Sequence, residues 1–305
     1  MAMSDYIQPL TMNGLHGRML YMPAPKNKKR DILLIYGHHS ALERMYGIAE
    51  DLNQYGSVTM PDLPGFGGMD SFYKVGMEPT LDAFADYLAA YIKLRYKNKK
   101  ITIAGMSFGF VVITRMLQKY PRLTKNIELL ISVVGFCHHD DLIFTKTRYQ
   151  FYLNGARVFS RRLPALFFRN VILNPVVLRA VYGRMHNAKS KFQNLSEVDK
   201  KRAMEFEVYL WRCNDVRTYM ATTIVMFTLD NCHKQISLPV EHISVSTDQY
   251  FNHAIVEQHM RVVFTDFREH IAQMDSHAPS IIADKHAAQG LLPKTLRTML
   301  NRSPV

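Results

Sequence analysis

An α/β fold on a mostly parallel sheet is predicted for this 305-residue chain by three features. Short apolar runs such as Asp31–Tyr36 and Ile101–Gly105 read as strands buried on both faces, the habit of parallel sheets covered by helices. Segments with apolar residues three and four apart alternate with these runs, as crossover connections require. Residues 137–238 then break the rhythm with a long helical pattern, before a strand pattern resumes at Pro239.

Taken in order, Tyr6–Met12 and His16–Met22 alternate in polarity as strands do, and Asn13-Gly14 between them is a strong hairpin turn. Pro23–Arg30 is a polar loop rich in Pro and Lys. The buried strand Asp31–Tyr36 ends in Gly37-His38-His39-Ser40, and a helix is expected over Ala41–Tyr55. Ser57–Met60 is a second buried strand, closed by Pro61-Asp62-Leu63-Pro64-Gly65-Phe66-Gly67-Gly68. Leu81, Phe84, Ala85, Leu88, Tyr91 and Ile92 give Thr80–Tyr96 a one-sided helical pattern. Ile127–Gly135 reads as another buried strand, Pro239–Ser246 as the next, and Arg261–Thr265 as the last.

The most informative stretch runs from Ile101 to Val112, where a strand enters Gly105-Met106-Ser107-Phe108-Gly109 and a helical pattern follows at once. A serine at such a sharp strand-to-helix turn is held in a strained conformation, with its hydroxyl lifted clear of the sheet. Side chains at 105 or 109 are expected to clash across the turn. The helix start brings partial positive charge to a nascent anion. The plain alternative is a tight turn whose serine caps the helix.

Composition sets further bounds. An apolar fraction of 48% supports a sizeable core, and 21% charged residues is ordinary. Cys137, Cys213 and Cys232 are too few and too irregularly spaced for a disulfide frame or a zinc site, which suggests a reducing, cytoplasmic setting. The opening Met-Ala-Met-Ser-Asp-Tyr lacks the pattern of a secretory signal, and no apolar run reaches spanning length, so a soluble chain is expected. The net charge of +12 is concentrated: residues 141–205 carry 13 Lys and Arg against four acids, with no acid between Leu142 and Ser196. These cations are interleaved with bulky apolar residues, as in Arg161-Arg162-Leu163-Pro164-Ala165-Leu166-Phe167-Phe168-Arg169. That mixture suits an anionic membrane surface or an amphiphilic acid better than nucleic acid, and no nucleic-acid partner is expected. A solvated basic helix face is the plain alternative.

Three blocks carry a resemblance to a known family: the apolar strand into Gly37-His38, the Pro-Asp-Leu-Pro-Gly-Phe-Gly of residues 61–67, and the Gly105–Gly109 turn. Together they resemble the α/β-hydrolase family, specifically members with a helical cap after the sixth strand. The resemblance covers residues 1–135 well and the C-terminal third more loosely. It implies a mostly parallel eight-stranded sheet flanked by helices, a core of residues 1–136 and 239–305, and a cap of residues 137–238. The family often has His-Gly after its third strand, whereas Tyr36 precedes Gly37 here.

The resemblance also assigns roles. Ser107 is the nucleophile, Asp248 lies where the family places its acid, and His277 lies where it places its base. A serine hydroxyl needs such a base, and the base needs an orienting carboxylate. The backbone N–H groups of His38 and Phe108 map to the oxyanion hole. Asp140, Asp141 and Asp230 are alternative acids, and His253, His259 and His270 alternative bases, each lying on an expected helix or just before the final loop. The pairs His38-His39 and His138-His139 invite a metal reading, but no further ligand shares their elements, so neither metal nor cofactor is expected. The implied activity is hydrolysis of a carboxylic ester with an apolar acyl group, such as a lipid or lysolipid. The same triad also serves peptide, thioester and carbon–carbon bond hydrolysis and perhydrolysis, and a non-catalytic, membrane-docking protein is a separate alternative.

Overall fold

The computed structural model describes residues 2–184, 197–246, 248–272, 285–286, 288 and 290–302. One sheet holds β1 (Ile7–Met12), β2 (Leu15–Met22), β3 (Arg30–Ile35), β4 (Gly56–Pro61), β5 (Ile101–Met106), β6 (Ile127–Val133), β7 (Ile236–Val245) and β8 (Phe264–Ala272). Their order across the sheet is β1-β2-β4-β3-β5-β6-β7-β8. β2 runs antiparallel to both neighbours, and the remaining pairs are parallel. The β1–β2 hairpin turns on Asn13 and Gly14, at φ of 52° and 78°, the left-handed values an Asn-Gly turn supplies. β4 and β5 are buried at every position, and the few polar side chains they carry, Ser57, Thr59 and Thr102, are small.

Around the sheet lie α1 (Leu42–Asn53), α2 (Leu81–Tyr96) and α3 (Phe108–Lys119). The Thr80 hydroxyl caps α2 by accepting from the Ala83 N–H at 3.1 Å. Between β6 and β7 come α4 (Lys146–Phe159), α5 (Arg162–Phe167) running into a π-helical turn (Phe168–Ile172), α6 (Pro175–Arg184), α7 (Glu197–Cys213) and α8 (Val216–Phe227). These cap helices have their own small apolar cluster, in which Ala156, Leu178, Val208 and Met220 meet. The chain then returns through β7 to α9 (His253–Val263), β8 and α10 (Lys294–Asn301).

The cap is fastened to the sheet at two places. At the start of α8, the Asp215 N–H donates to the Gly65 carbonyl, Asn214 Oδ1 accepts from the Gly67 N–H, and the Thr218 and Ser71 hydroxyls meet, each at 2.8 Å. At the neck, His138 bridges Asp230, which stitches the chain entering the cap to the chain leaving it, and Leu142 bridges Phe251 of the segment after β7.

The strand expected at Arg261–Thr265 is displaced. Residues up to Val263 complete α9, and β8 begins at Phe264. The cause is a helical face: Val256, Met260 and Val263 are buried three and four apart, and the Asn252 side chain caps the start. β7 likewise starts at Ile236, three residues ahead of the expected Pro239.

Candidate active site

Ser107 sits between β5 and α3 with φ 48° and ψ −119°, a backbone conformation that few residues other than glycine adopt. The turn has room for no side chain on either flank. A Cβ on Gly105 would lie 2.7 Å from the Phe110 Cα, and one on Gly109 would lie 2.4 and 2.5 Å from the Ile35 and Tyr36 carbonyls. The crowding at 109 thus comes from the end of β3, where the sequence suggested that positions 105 and 109 crowd each other. The Ser107 N–H donates to the Val133 carbonyl at 2.9 Å, tying the turn to the end of β6.

The loop after β3 closes over this turn. A Cβ on Gly37 would stand 3.2 Å from the Ser107 Cβ, so Gly37 and His38 pass directly beside the serine. Phe108 opens α3, where backbone N–H groups have no partner within the helix. The His38 and Phe108 rings lie edge to face with centroids 6.0 Å apart. His38 Nε2 lies 3.1 Å from the Tyr219 carbonyl and 3.0 Å from the Thr222 hydroxyl, both on α8. A carbonyl accepts only, so Nε2 carries the proton. Burial, with His39 nearby, pushes the His38 pKa down to about 3, which keeps the ring neutral.

Tyr36 explains the departure from His-Gly. Its buried hydroxyl donates to Asp62 Oδ1 and accepts from the Leu63 N–H, both at 2.8 Å. Asp62 Oδ2 accepts from Arg18 Nε at 2.8 Å. Arg18 also reaches both Glu43 oxygens, the Gly67 carbonyl and the Tyr209 hydroxyl of α7. Burial pushes the Asp62 carboxyl up to about 8, with the Arg18 guanidinium and Tyr36 hydroxyl pulling against it. This network joins β2, α1, the loop after β4 and the cap beneath the His38 turn.

Ser107, Gly37 and His38 line a cavity of about 690 Å³, within the range of small-molecule sites. Its other walls come largely from the cap, through residues such as Phe159, Phe168, Met220 and Phe227. Tyr250 and Phe251 bring the segment after β7 into the same cavity. Asp248 precedes them, and its Oδ1 accepts from the Tyr250 and Phe251 N–H groups at 2.8 and 3.3 Å. Ser107, Gly37 and His38 therefore share one cavity with Tyr250 and Phe251 of the turn that Asp248 accepts from, while Phe108 and Asp248 themselves are not among its lining residues. His277 lies outside the described residues.

The rival residues have partners of their own, and like Asp248 they are not among the residues lining this cavity. Asp141 is fully buried, accepts the Cys137 and His138 N–H groups at 2.9 Å and meets His259 Nδ1 at 2.5 Å. Asp140 pairs with His139 at 3.0 Å, and Asp230 with His233 at 3.2 Å. His253 Nε2 donates to the Val245 carbonyl at 2.7 Å. His270 lies near the end of β8, the last strand, held by Glu241 at 2.6 Å and Thr295 at 2.9 Å. His138, His139 and Asp140 offer ligand atoms within 4.8 Å of one another. However, His138 Nδ1 already accepts from the Asp140 N–H at 3.2 Å. Asp140 thus joins the His138-His139 pair, where the sequence suggested no further ligand on that element, and burial lowers the His138 pKa.

Sequence reasoning missed the cap residues that hold the site, chiefly Tyr219, Thr222 and Asn214. Asn214-Asp215 ahead of an apolar run is a helix-start signal that places α8, but it does not say what α8 docks against.

No family model matches the chain, and no curated protein matches it either. Solved structures do match over nearly its whole length. A thermophilic esterase from Thermogutta terrifontis aligns with a TM-score of 0.62 at 17% identity, covering 97% of this chain and 100% of that one. The enol-lactonase from Burkholderia xenovorans LB400 aligns with a TM-score of 0.64 at 12% identity, over 97% and 100%. The thioesterase domain from the curacin biosynthetic pathway gives 0.64 at 15%, over 97% and 99%. With the strand order, the capped sheet and the strained serine turn, these alignments establish that the chain has the α/β-hydrolase fold.

Proposed function

We propose that the protein is a serine hydrolase that cleaves a carboxylic ester with an apolar acyl group. The observation that carries this reading is Ser107 itself, held at φ 48° on the wall of an apolar cavity that the cap covers. The likeness to an esterase and an enol-lactonase supports the same class.

In this mechanism Ser107 Oγ attacks the ester carbonyl while His277 takes its proton. The carbonyl oxygen becomes an oxyanion held by the N–H groups of His38 and Phe108. Asp248 stabilises the imidazolium and fixes its orientation. As the tetrahedral intermediate collapses, His277 gives the proton to the leaving alkoxide and an acyl group remains on Ser107. Water, deprotonated by His277, then attacks the acyl-enzyme; as this second intermediate collapses, the bond to Ser107 Oγ breaks, His277 returns the proton to that oxygen, and the acid leaves.

The test combines an alkyl fluorophosphonate probe with a series of p-nitrophenyl esters of rising chain length. Wild type gains one phosphonyl group on Ser107 and shows burst release. Ser107→Ala gains none and loses at least about 10⁴-fold in kcat. His277→Ala and Asp248→Asn lose activity while keeping the fold. A crystal structure of the adduct places the phosphonyl oxygen about 2.7–3.1 Å from the His38 and Phe108 nitrogens. Background rates in wild type, or labelling that survives Ser107→Ala, overturn the proposal.

A further inference from the structure

The outer surface of the cap is unusually apolar. Of the 18 exposed large hydrophobic side chains among the described residues, 11 fall between Ile143 and Val177. Leu163 is 77% exposed, Phe151 75%, Val176 72% and Phe167 57%. On α4 only Leu153 and Ala156 are buried, while Phe151, Tyr152, Arg157 and Val158 are exposed. Contiguous apolar surface of this kind marks a place where something docks.

The same surface is basic. Arg148, Arg157, Arg161, Arg162, Arg169 and Arg179 are all exposed between these apolar residues. Arg179 pairs with Glu205, but no acid occurs between residues 142 and 196 to offset the others locally. Two copies meeting through this face would set like charges against each other. A polyanion without apolar content would leave Phe151, Leu163 and Val176 unused. An anionic bilayer answers both features: the arginines meet lipid headgroups and the apolar side chains enter the acyl boundary. No helix among the described residues is long and apolar enough to cross a membrane, so contact of this kind is confined to the interface.

The surface is also continuous with the cavity. Phe151 and Tyr152 line the cavity that holds Ser107 and are 75% and 40% exposed on the outside. They therefore form part of its rim.

We propose that the outer face of α4, α5 and α6 docks on anionic membranes and that an acyl substrate passes from the bilayer over the Phe151–Tyr152 rim to Ser107. The docking step stands independently; the delivery step rests on the ester-hydrolase reading. The first experiment floats full-length Ser107→Ala protein with phosphatidylcholine vesicles, with and without phosphatidylglycerol, at low and high salt. Binding is expected only to the anionic vesicles and weakens with salt. Arg161→Gln/Arg162→Gln lowers vesicle affinity on the order of tenfold or more. Leu163→Ser/Phe167→Ser/Val176→Ser abolishes flotation and, in the Ser107 background, leaves turnover of a soluble short-chain ester unchanged, since none of the three lines the cavity.

Absence of flotation, equal flotation with neutral vesicles, or flotation that survives the triple substitution overturns the docking proposal. So does a concentration-dependent dimer abolished by the triple variant, or tight nucleic-acid binding without vesicle binding. Because flotation is read on the Ser107→Ala protein, its outcome is separate from that of the hydrolase reading. If docking holds, delivery requires that anionic vesicles raise wild-type turnover of a long-chain ester and that the triple variant lose this stimulation. Unchanged stimulation overturns it.

Discussion

Tyr36 stands where the resemblance leads one to expect a histidine, and its hydroxyl shows what it does there. One small group donates to Asp62 and accepts from Leu63, so it holds the loops after β3 and β4 together. Removing it strands a buried N–H and takes one donor from a buried carboxyl. Tyr36→Phe should therefore cost about 1–3 kcal/mol, read by urea denaturation, with a parallel fall in ester turnover as the His38 turn loosens. Gly109 is equally exposed to test. A methyl group there meets two carbonyls at 2.4 and 2.5 Å, well inside ordinary contact distance, so Gly109→Ala should lose roughly 1–3 kcal/mol or more. At this scale the serine turn and the Tyr36 substitution were legible, because each rests on local chain geometry. The tie between His38 and α8 was not, since 181 positions separate His38 from Tyr219 and no periodicity links them.

Among the elements, α8 has the clearest local control. Asp215 Oδ1 accepts from the Thr218 N–H at 2.7 Å and from its hydroxyl at 2.8 Å, capping the helix where it meets the loop after β4. Asp215→Ala should cost about 1 kcal/mol in thermal or chemical unfolding. Asp215→Asn, which keeps an accepting oxygen, should recover most of it. Buried strands were readable because short, mostly apolar runs bounded by turn residues mark them in the chain. The α9–β8 junction was misread because Val262-Val263 favours a strand locally. The burial of Val256, Met260 and Val263 on one face overrides that preference.

For the molecule as a whole, stability should depend on acid through two buried imidazoles. His38 and His242 are both pushed down to about 3, chiefly by burial, from an ordinary 6.5. The unfolded chain takes up these protons first as pH falls. Their contribution is intact above about pH 6.5 and declines below it, by up to about 1.4 kcal/mol per pH unit for each ring. Unfolding followed from pH 7 to pH 5 should show this slope, and His242→Asn should remove about one proton's share. Parallel-sheet architecture was legible from the rhythm of the chain. The exposure of the cap's apolar residues was not, because a run like Leu166-Phe167-Phe168 looks the same whether it faces a core or a lipid surface.

The bond from the His38 ring to the α8 backbone has a mechanical meaning. A cap that swung away as one rigid lid would pull on the peptide proposed to steady the reacting oxygen, and the enzyme would be idle whenever it was open. Substrate traffic is better served by small movements of Phe151 and Tyr152 at the edge, which leave α8 seated. Turnover would then be paced by the flicker of two side chains, while the hinge of the cap stays still.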